Sequence, residues 1–378
     1  MKNVLFLSSW YPSRVHSTLG NFVRYHALAA SKYNSVNVLY IVADDKVSDY
    51  EIEHFKDKEL NTTIVYFKRG VFKYLNYFIA FLKGFKFLKN KKSLKFDIVH
   101  MNIMHPGIWQ ALYLKWRYTI PYIVSENWHG FQDLNKYNLS YLELKIIQLG
   151  FRFSSAISPV SQQLENCMIK ANYKANYQII PNVVDTIKFN IVKSKDLNNH
   201  FTFLHVSTLD DSIKNVSGII DAFEKLTHQN ITLKIIGDGP TGWIFDKIKK
   251  LKTTNSIIIE KEKTHDQIAK EMRNADVFVL FSNIENLPLV LIESISSGTP
   301  FIASKVGGIP ELFNNDLGKL VESGNIGQLV QEMNFMIENP FYFDSSKIRS
   351  HALQHYSEKE VGKQFNDLYI EIANNLTN

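Results

Sequence analysis

Glu285 and Glu293 are the residues whose types and spacing best suit chemistry on a bound ligand. The first lies in a predicted loop after an apolar strand ending at Ser282, and the second in the helix that Pro288 opens, since proline is favoured in a first helical turn. The intervening loop and a rise of ~1.5 Å per residue put the two carboxylates about 8–12 Å apart. That separation exceeds the about 5–5.5 Å of a retaining glycosidase pair and suits two carboxylates that hold opposite ends of one polyhydroxylated ligand. The alternative is that both are surface acids, although the apolar neighbours of Glu293 make an unpaired acid there costly.

A second strand–loop–helix junction follows directly along the chain. It contains the paired glycines Gly307 and Gly308, and Pro310 marks the start of the next predicted helix. Glycines let a backbone approach a ligand closely, and the unpaired amides of a helix N-terminus attract anions. Two such helix starts after consecutive strands predict a pocket for an anionic ligand at the carboxyl edge of a sheet.

A glycine motif at Gly237–Gly242 fits the G-x-G-x-x-G pattern of dinucleotide-binding loops, and Glu260 follows near the position of a ribose-binding acid. An NAD-binding oxidoreductase is therefore one alternative for this chain. However, Pro240 removes a backbone donor from the would-be phosphate loop, and the motif follows the second strand of its half instead of the first. These two features favour a tight turn at a strand–helix junction.

Short apolar strands alternate with amphipathic helices, which predicts βαβ units and parallel sheets. The predicted strands are Val4–Leu7, Val36–Val42, Thr63–Phe67, Asp97–Asn102, Tyr122–Ser125, Phe201–Val206, Ile231–Ile236, Ser256–Ile259, Val277–Phe281 and Pro300–Ala303. We therefore expect two Rossmann-like domains, residues 1–181 and 201–355, joined by a linker at 182–200. Residues 356–378 carry apolar side chains at helical spacing and predict a final helix.

Composition limits the functional classes. The chain has 378 residues, or about 2.5 domains at about 150 residues each, and its 45% apolar and 21% charged content excludes wholesale disorder and fibrous repeats. The single Cys167 excludes an internal disulfide framework and suits a reducing compartment. The first residues indicate a buried strand instead of a signal peptide, and no apolar run reaches the roughly 18 residues that cross a bilayer.

Residues 68–95 carry nine basic and no acidic side chains, which exceeds the net charge of +6 of the whole chain. From Leu60 to Phe96 there is no acidic residue, while the basic residues are Lys68, Arg69, Lys73, Lys83, Lys86, Lys89, Lys91, Lys92 and Lys95. Aromatic residues alternate with these cations, so the segment predicts either a helix lying on an anionic membrane surface or a domain helix that packs on its sheet with solvated lysines. Nucleic acid is disfavoured as a partner, because the basic residues lie in one segment and no known nucleic-acid-binding motif accompanies them.

Together these motifs resemble the signature of glycosyltransferase family 4. The resemblance is carried by Glu285-x7-Glu293, Gly298-Thr299-Pro300 and Gly307-Gly308-Ile309-Pro310-Glu311, and by motifs across nearly the whole chain: Gly20-Asn21-Phe22-Val23, Val160-Ser161, Ile180-Pro181-Asn182-Val183-Val184-Asp185, Gly237-Asp238-Gly239-Pro240, Tyr356-Ser357 and Tyr369. It implies an α/β GT-B fold, in which two Rossmann-like domains face a cleft. It also implies that the C-terminal helix, residues 356–378, crosses back onto the N-terminal domain.

The same resemblance implies roles for individual residues. Glu285 would contact the donor sugar hydroxyls, Glu293 both ribose hydroxyls of the nucleotide, Lys214 the diphosphate leaving group, and His129 the donor sugar near the reacting bond. The implied catalytic residues are Glu285, His129 and Lys214, and the implied donor-binding residues are Gly20, Asn21, Thr208, Lys214, Gly237, Asn286, Leu287, Pro288, Leu289 and Glu293. Thr208 stands where the family commonly has an arginine, and Asn286 and Val183 stand where glycines are usual.

No metal or other cofactor is expected. His100 and His105 have no carboxylate or cysteine partner at ligand spacing, and the sequence contains no D-x-D. The resemblance implies a retaining glycosyltransferase that moves a hexose-type sugar from a UDP or GDP sugar to a hydroxyl of a lipid-linked or cell-surface glycan. Such an enzyme would be cytoplasmic and peripheral on the inner face of the cell membrane. A GT-B sugar-nucleotide epimerase and a non-catalytic glycan- or membrane-binding module are the remaining alternatives.

Overall fold

A computed structural model describes residues 1–16, 19–70, 72–92, 95–191 and 200–375, without the side chains of Lys91, Lys92 and Asn135. The chain divides into two compact units. The first unit comprises Met1–Val183 together with Glu358–Asn378, and the second comprises Val184–Ser357. In each unit, helices pack on a largely parallel sheet.

The first unit is built on a sheet whose strand order is β3-β4-β2-β1-β5-β6-β7. Its strands are β1 (Asn3–Ser8), β2 (Ser35–Ala43), β3 (Tyr50–Asp57), β4 (Leu60–Phe67), β5 (Ile98–Asn102), β6 (Tyr122–Glu126) and β7 (Ala156–Pro159). All pairs are parallel except β3 with β4, so the prediction of purely parallel pairing is wrong at this edge. β3 escaped prediction because it is a polar edge strand that is largely exposed.

Five helices follow the strands of this unit up to residue 170. They are α1 (Asn21–Ser31), α2 (Lys73–Lys92), α3 (Ile108–Tyr118), α4 (Tyr141–Phe153) and α5 (Gln162–Lys170). Gly20 precedes α1 with φ of 77°, and a Cβ there would lie 2.5 Å from the carbonyl group of Trp10, so the turn after β1 requires glycine. Ser140 and Glu143 form a capping box that fixes the start of α4.

The longest of these helices, α2, packs its aromatic face inward. Phe81 is fully buried and Phe85 is 4% exposed, while Tyr77 contacts Trp109 of α3 with ring centroids 5.3 Å apart. This side of the helix is therefore occupied by the core, as expected for a domain helix. Across the described ranges, no helix is both long and apolar enough to cross a bilayer.

The second unit is built on a parallel sheet with the order β10-β9-β8-β11-β12-β13. Its strands are β8 (Phe201–Ser207), β9 (Ile231–Gly237), β10 (Ser256–Lys261), β11 (Val277–Leu280), β12 (Phe301–Ser304) and β13 (Gly318–Val321). Its helices are α6 (Asp211–Lys214), α7 (Val216–Glu224), α8 (Gly242–Ile248), α9 (His265–Asn274), α10 (Leu289–Ser296), α11 (Ile309–Leu312), α12 (Ile326–Glu338) and α13 (Ser345–Tyr356). The order reverses at β8, which pairs with β9 on one side and β11 on the other.

The last helix, α14 (Glu358–Asn375), packs against α1 of the first unit. Gly362 lies so close to the carbonyl of Ala29 that a Cβ there would overlap it, and the Tyr369 hydroxyl lies 2.5 Å from Nδ1 of buried His100. Residues 376–378 lie outside the described part of the chain. Tyr356 and Ser357, expected to belong to this helix, instead end the second unit.

The predicted linker, residues 182–200, starts within the two units: residues 182 and 183 belong to the first unit, and the second unit begins at Val184. Arg349 donates hydrogen bonds to the carbonyls of Thr186 (2.9 Å) and Phe189 (2.8 Å), and Phe189 is fully buried. These contacts hold residues 184–191 in the second unit. Residues 192–199 lie outside the described residues.

Replacing Tyr369 with phenylalanine is expected to reduce the free energy of unfolding by about 1–3 kcal/mol, because His100 loses a buried hydrogen-bond partner. Chemical denaturation monitored by circular dichroism measures the change. The control is Tyr74→Phe, since the Tyr74 side chain is 75% exposed and the substitution should change little. Equal effects of the two substitutions would contradict a structural role for the Tyr369 hydroxyl.

Candidate functional site

The predicted chemical residues of the second unit gather at the carboxyl ends of β8 and β11. These strands are neighbours. From β8 the sheet grows through β9 and β10 on one side and through β11, β12 and β13 on the other, so the strand order reverses at β8. In open α/β sheets, a crevice forms at such a reversal because the loops from the two strands diverge to opposite sides. Lys214 follows β8 and Glu285 follows β11, so both occupy this position.

Lys214 and Glu285 form a largely buried ion pair. Lys214 Nζ lies 2.6 Å from Glu285 Oε1, with the side chains 18% and 8% exposed. The Ser282 hydroxyl donates to the same oxygen at 2.8 Å. The alternative that Glu285 is an exposed loop acid is therefore wrong, and Ser282 is a contact that the sequence did not predict.

Two hydrogen bonds connect the loops that carry this ion pair. The backbone amide of Asn283 donates to the carbonyl of Ile213 at 2.8 Å, and its side-chain amide donates to the carbonyl of Ser212 at 3.1 Å. Asp210 caps the short helix α6 by accepting from the Ser212 amide at 3.0 Å. The position of Lys214 is thus fixed by both loops, since α6 alone is too short to be a stable helix.

The loop from Glu285 to Pro288 is held against the glycine pair after β12. The Gly308 amide donates to the Asn286 carbonyl at 2.7 Å. Gly307 has φ of 55°, and a Cβ there would overlap the carbonyl of Glu285. The paired glycines therefore serve a close backbone approach between two loops of the site. Asn286, Leu287 and Pro288 are buried, Leu289 is partly exposed, and α10 begins directly after Pro288.

Glu293 is a buried carboxyl group on α10 with an unsatisfied oxygen. Its side chain is 3% exposed, and Oε1 has no hydrogen-bond partner among the described residues. Burial raises the pKa of Glu293 to about 8, against the opposing effect of the Lys188 charge. The alternative of a surface helix acid is wrong for this residue as well, and such an orphan acceptor suits a ligand hydroxyl.

The glycine motif after β9 packs against the loop after β8. Cβ atoms at Gly237 and Gly239 would overlap the carbonyls of Ser207 and Thr208 respectively, so both glycines allow two loops to touch. Thr208 is exposed at this contact. The structure therefore favours the tight turn over the dinucleotide loop, because the glycines face protein backbone.

A buried histidine orders the same loop. His205 Nδ1 lies 2.8 Å from the Val279 carbonyl, and Nε2 lies 2.8 Å from the Ser207 hydroxyl. Burial lowers the pKa of His205 to about 4, so it is neutral and donates from Nδ1. The Ser207 oxygen in turn accepts from the Leu209 amide at 3.1 Å. Sequence reasoning missed this series of hydrogen bonds, whose only signal was a histidine in an otherwise apolar strand.

The remaining predicted residues lie in the first unit. Gly20 and Asn21 form the start of α1 after β1, and His129 opens a 3-10 helix after β6. His129 is exposed, and its Nε2 lies 2.5 Å from the Tyr137 hydroxyl. Beside it, buried Glu126 accepts backbone hydrogen bonds from Met104, Asn127 and Trp128. Burial nevertheless raises the pKa of this carboxyl group to about 7.

The histidines that could have suggested a metal have other partners. His100 contacts the hydroxyls of Tyr369 and Ser125, and His105 stacks on Trp128 with ring centroids 5.5 Å apart. In the part of the chain that the structure describes, no three His, Cys, Asp or Glu residues cluster as a metal site would require.

Comparison with known proteins gives the family of this chain. Residues 26–188 match the family described as Glycosyltransferase Family 4, and residues 187–359 match Glycosyl transferases group 1. N-acetyl-alpha-D-glucosaminyl L-malate synthase of Bacillus anthracis is 23% identical over 318 residues, which cover 80% of this chain and 81% of that protein.

Solved structures show the same architecture. Sucrose-phosphate synthase from Thermosynechococcus elongatus matches with a TM-score of 0.78 and 16% identity, covering 98% of this chain and 99% of that chain. Anabaena HepE, in complex with UDP and glucose, matches with a TM-score of 0.74 and 19% identity, covering 98% and 100%. The family match and the fold thus identify a GT-B glycosyltransferase, as the sequence predicted. This chain belongs to glycosyltransferase family 4.

Proposed function

We propose that this glycosyltransferase is retaining and moves a hexose-type sugar from a UDP or GDP sugar to a hydroxyl of a lipid-linked or cell-surface glycan. The observation that carries the proposal is the buried Lys214–Glu285 pair at the strand-order reversal of the second unit. It offers a cation for a diphosphate beside a carboxylate for sugar hydroxyls. A charge-assisted contact of this kind contributes about 1.5–3 kcal/mol.

The unsatisfied oxygen of Glu293 supports a nucleotide donor. Ribose carries two neighbouring hydroxyls, and both can donate to one carboxylate. HepE shares the fold and was solved in complex with UDP and glucose. This supports a nucleoside diphosphate sugar as the ligand class. We assign donor contacts to Thr208, Gly237, Asn286, Leu287, Pro288 and Leu289 in the second unit, and the donor-binding roles of Gly20, Asn21 and His129 stay predictions from the sequence.

The proposed reaction is a front-face displacement. The bond between the anomeric carbon and the diphosphate oxygen breaks, and its electron pair stays on the diphosphate, whose charge Lys214 and nearby helix N-termini stabilise. The acceptor hydroxyl oxygen bonds to the anomeric carbon on the same face and transfers its proton to the diphosphate oxygen. Configuration is retained because the leaving group and the acceptor share one face.

We further propose that no metal ion takes part and that the enzyme works in the cytoplasm at the inner face of the membrane. The absence of a D-x-D in the sequence and the cation at Lys214 support the first point. The free thiol Cys167 and the basic segment of the first unit support the second.

A screen of nucleotide sugars by thermal shift, followed by nucleotide-release assays with and without chelator, tests the proposal. A UDP or GDP sugar should raise the melting temperature, and activity should survive the chelator. NMR of the product establishes the configuration at the anomeric carbon. An altered free sugar formed without an acceptor would identify an epimerase instead, and stabilisation by NAD in place of nucleotide sugars would overturn the donor site.

A further inference from the structure

Five large apolar side chains of the first unit are exposed at the starts of two helices. Phe72, Tyr74 and Leu75, at the start of α2, are 70%, 75% and 55% exposed, and Tyr141 and Leu142, in the first turn of α4, are 75% and 67% exposed. These five residues are named here the α2–α4 patch. Scattered exposed apolar residues are normal, whereas a group of them at one end of a unit marks an interaction surface.

The helices α2 and α3 run side by side in the same direction. Phe78 of α2 contacts Trp109 at the start of α3, with ring centroids 5.5 Å apart, and Phe85 contacts Tyr118 at the end of α3, 5.3 Å apart. The first turn of α2 therefore projects beyond the first residue of α3. Because α3 follows the carboxyl end of β5, this projection lies at the carboxyl edge of the sheet.

Helix α4 projects in the same way. Gly150 packs against Ile108, the first residue of α3, and Phe153 contacts Trp116 further along it. α4 begins nine residues before Gly150 at Tyr141, so at ~1.5 Å per residue about 13 Å of this helix precedes its contact with the start of α3. The exposed side chains of both helices thus share the carboxyl edge of the first sheet, the edge that also carries His129.

Cations surround the patch. Lys68, Arg69 and Lys73 are exposed, and Lys145 Nζ lies 5.4 Å from the centre of the Tyr141 ring. Hydrogen bonds from Ser140 lower the pKa of Glu143, and the charge of Lys73 lowers it further, in agreement with the placement of both helix starts at the carboxyl edge of the sheet. The patch therefore joins apolar and aromatic side chains to a positive rim.

We propose that the α2–α4 patch binds an anionic lipid bilayer, with its aromatic and leucine side chains at the boundary of headgroups and acyl chains and Lys68, Arg69 and Lys73 against lipid phosphates. Tyrosine suits that boundary because its ring is apolar and its hydroxyl is polar. The charge of the rim complements anionic lipid, whereas a second copy of the chain would present the same positive charge.

This assignment differs from a helix lying along the membrane over residues 68–95. The aromatic face of α2 packs on α3 and the sheet, so the most exposed apolar side chains of the helix lie at its start. Among its described side chains further along, Ile79 is the one large apolar residue that is exposed, at 40%. Val71 and residues 93–94 lie outside the described part, as do the side chains of Lys91 and Lys92. The inference deepens the proposed function, since a lipid-borne acceptor would then reach the enzyme at the edge where His129 lies.

Vesicle flotation of the full chain, without donor or acceptor, tests this surface. Vesicles of phosphatidylcholine alone are compared with vesicles that also contain phosphatidylglycerol, at low and high salt. The wild-type protein should float only with phosphatidylglycerol and release as salt rises. Phe72→Ser with Leu75→Ser, and Tyr141→Ser with Leu142→Ser, should each weaken binding at least tenfold. Lys68→Gln and Arg69→Gln should each weaken it about fivefold.

Matched controls separate the patch from its surroundings. Lys86→Gln with Lys89→Gln removes two exposed cations further along α2, and Phe341→Ser removes a 70% exposed aromatic side chain of the second unit. Both should bind like the wild type. Three results would overturn the proposal: no binding to phosphatidylglycerol vesicles at low salt, equal weakening by the controls, or a wild-type dimer that Phe72→Ser with Leu75→Ser dissociates. Thermal shift by the donor is measured separately, so a failed donor site and a failed lipid surface are distinguishable.

Discussion

Replacing Glu285 with glutamine is expected to lower the turnover of sugar transfer about 100-fold or more, on the scale of losing one preorganised electrostatic contact in an active site. The substitution keeps the shape of the side chain but removes the charge that pairs with Lys214 at 2.6 Å and accepts from Ser282 at 2.8 Å. Nucleotide release in the presence of donor and acceptor measures the loss. Donor binding by calorimetry should change less, because the nucleotide is held by other groups.

Lys214→Ala provides the complementary half of this test. It should reduce both turnover and donor affinity, since the proposed diphosphate partner is lost while Glu285 stays buried without its cation. Asp221→Asn is the control, because it removes an ion pair of the same unit with Lys247 at 2.5 Å that is more exposed. Retention of more than half of the wild-type turnover in Glu285→Gln would remove this residue from the catalytic centre.

Glu293→Gln is expected to make the ligand-free protein more stable than the wild type at pH 8, because the variant lacks the fall in stability with rising pH that Glu293 causes. The folded-state pKa of Glu293 is raised from 4.5 to about 8, mainly by burial. Below pH 4.5 the group is protonated in both states. Between pH 4.5 and 8 the unfolded chain releases the proton while the folded chain retains it, so wild-type stability falls as pH rises through this window. Melting temperatures across the window measure the effect.

Binding of the nucleotide should make the charged form of Glu293 the favoured one in the folded protein. Two ribose hydroxyls donating to Glu293 would stabilise its charged form and lower its pKa, so the wild type should release a proton on binding near neutral pH. Calorimetry in two buffers of different ionisation enthalpy measures that proton. Glu293→Gln should bind the nucleotide more weakly and release none. Proton release unchanged in the variant would show that another group titrates on binding.

The apolar strands of both sheets could be predicted from the sequence because each is a short buried run bounded by turn residues. β1, β2, β5 and β6 match their predictions within one residue at either end. The strands that were missed are of two kinds. β3 alternates charged and partly buried residues at a sheet edge. β7 and β13 are four-residue strands interrupted by serine and proline or by glycine and lysine, whereas β11 and β12 have the same length but are largely apolar.

The candidate site could be predicted as a set of residues but only partly as a geometry. Glu285 and Glu293 lie in the loop and the helix where the sequence placed them. The contact of Glu285 with Lys214 depends on β8 and β11 being neighbours in the sheet, although 71 residues separate the two side chains. The hydrogen bonds from Asn283 to the loop of Lys214, and the series of hydrogen bonds from His205 to Leu209, depend on the same pairing of β8 with β11. Such contacts are properties of sheet order, which local patterns do not encode.

The place of α14 in the first unit has a consequence for how the protein is made. The second unit is continuous from Val184 to Ser357, whereas the first needs Glu358–Asn375 to cover α1 and to supply Tyr369 to His100. On the ribosome, the second unit can therefore fold as soon as it has emerged, while the first is completed only after Glu358–Asn375 have also emerged. The first unit is therefore translated before the second but completed after it, and during that interval the apolar side of α1 that α14 covers is open to non-native contacts.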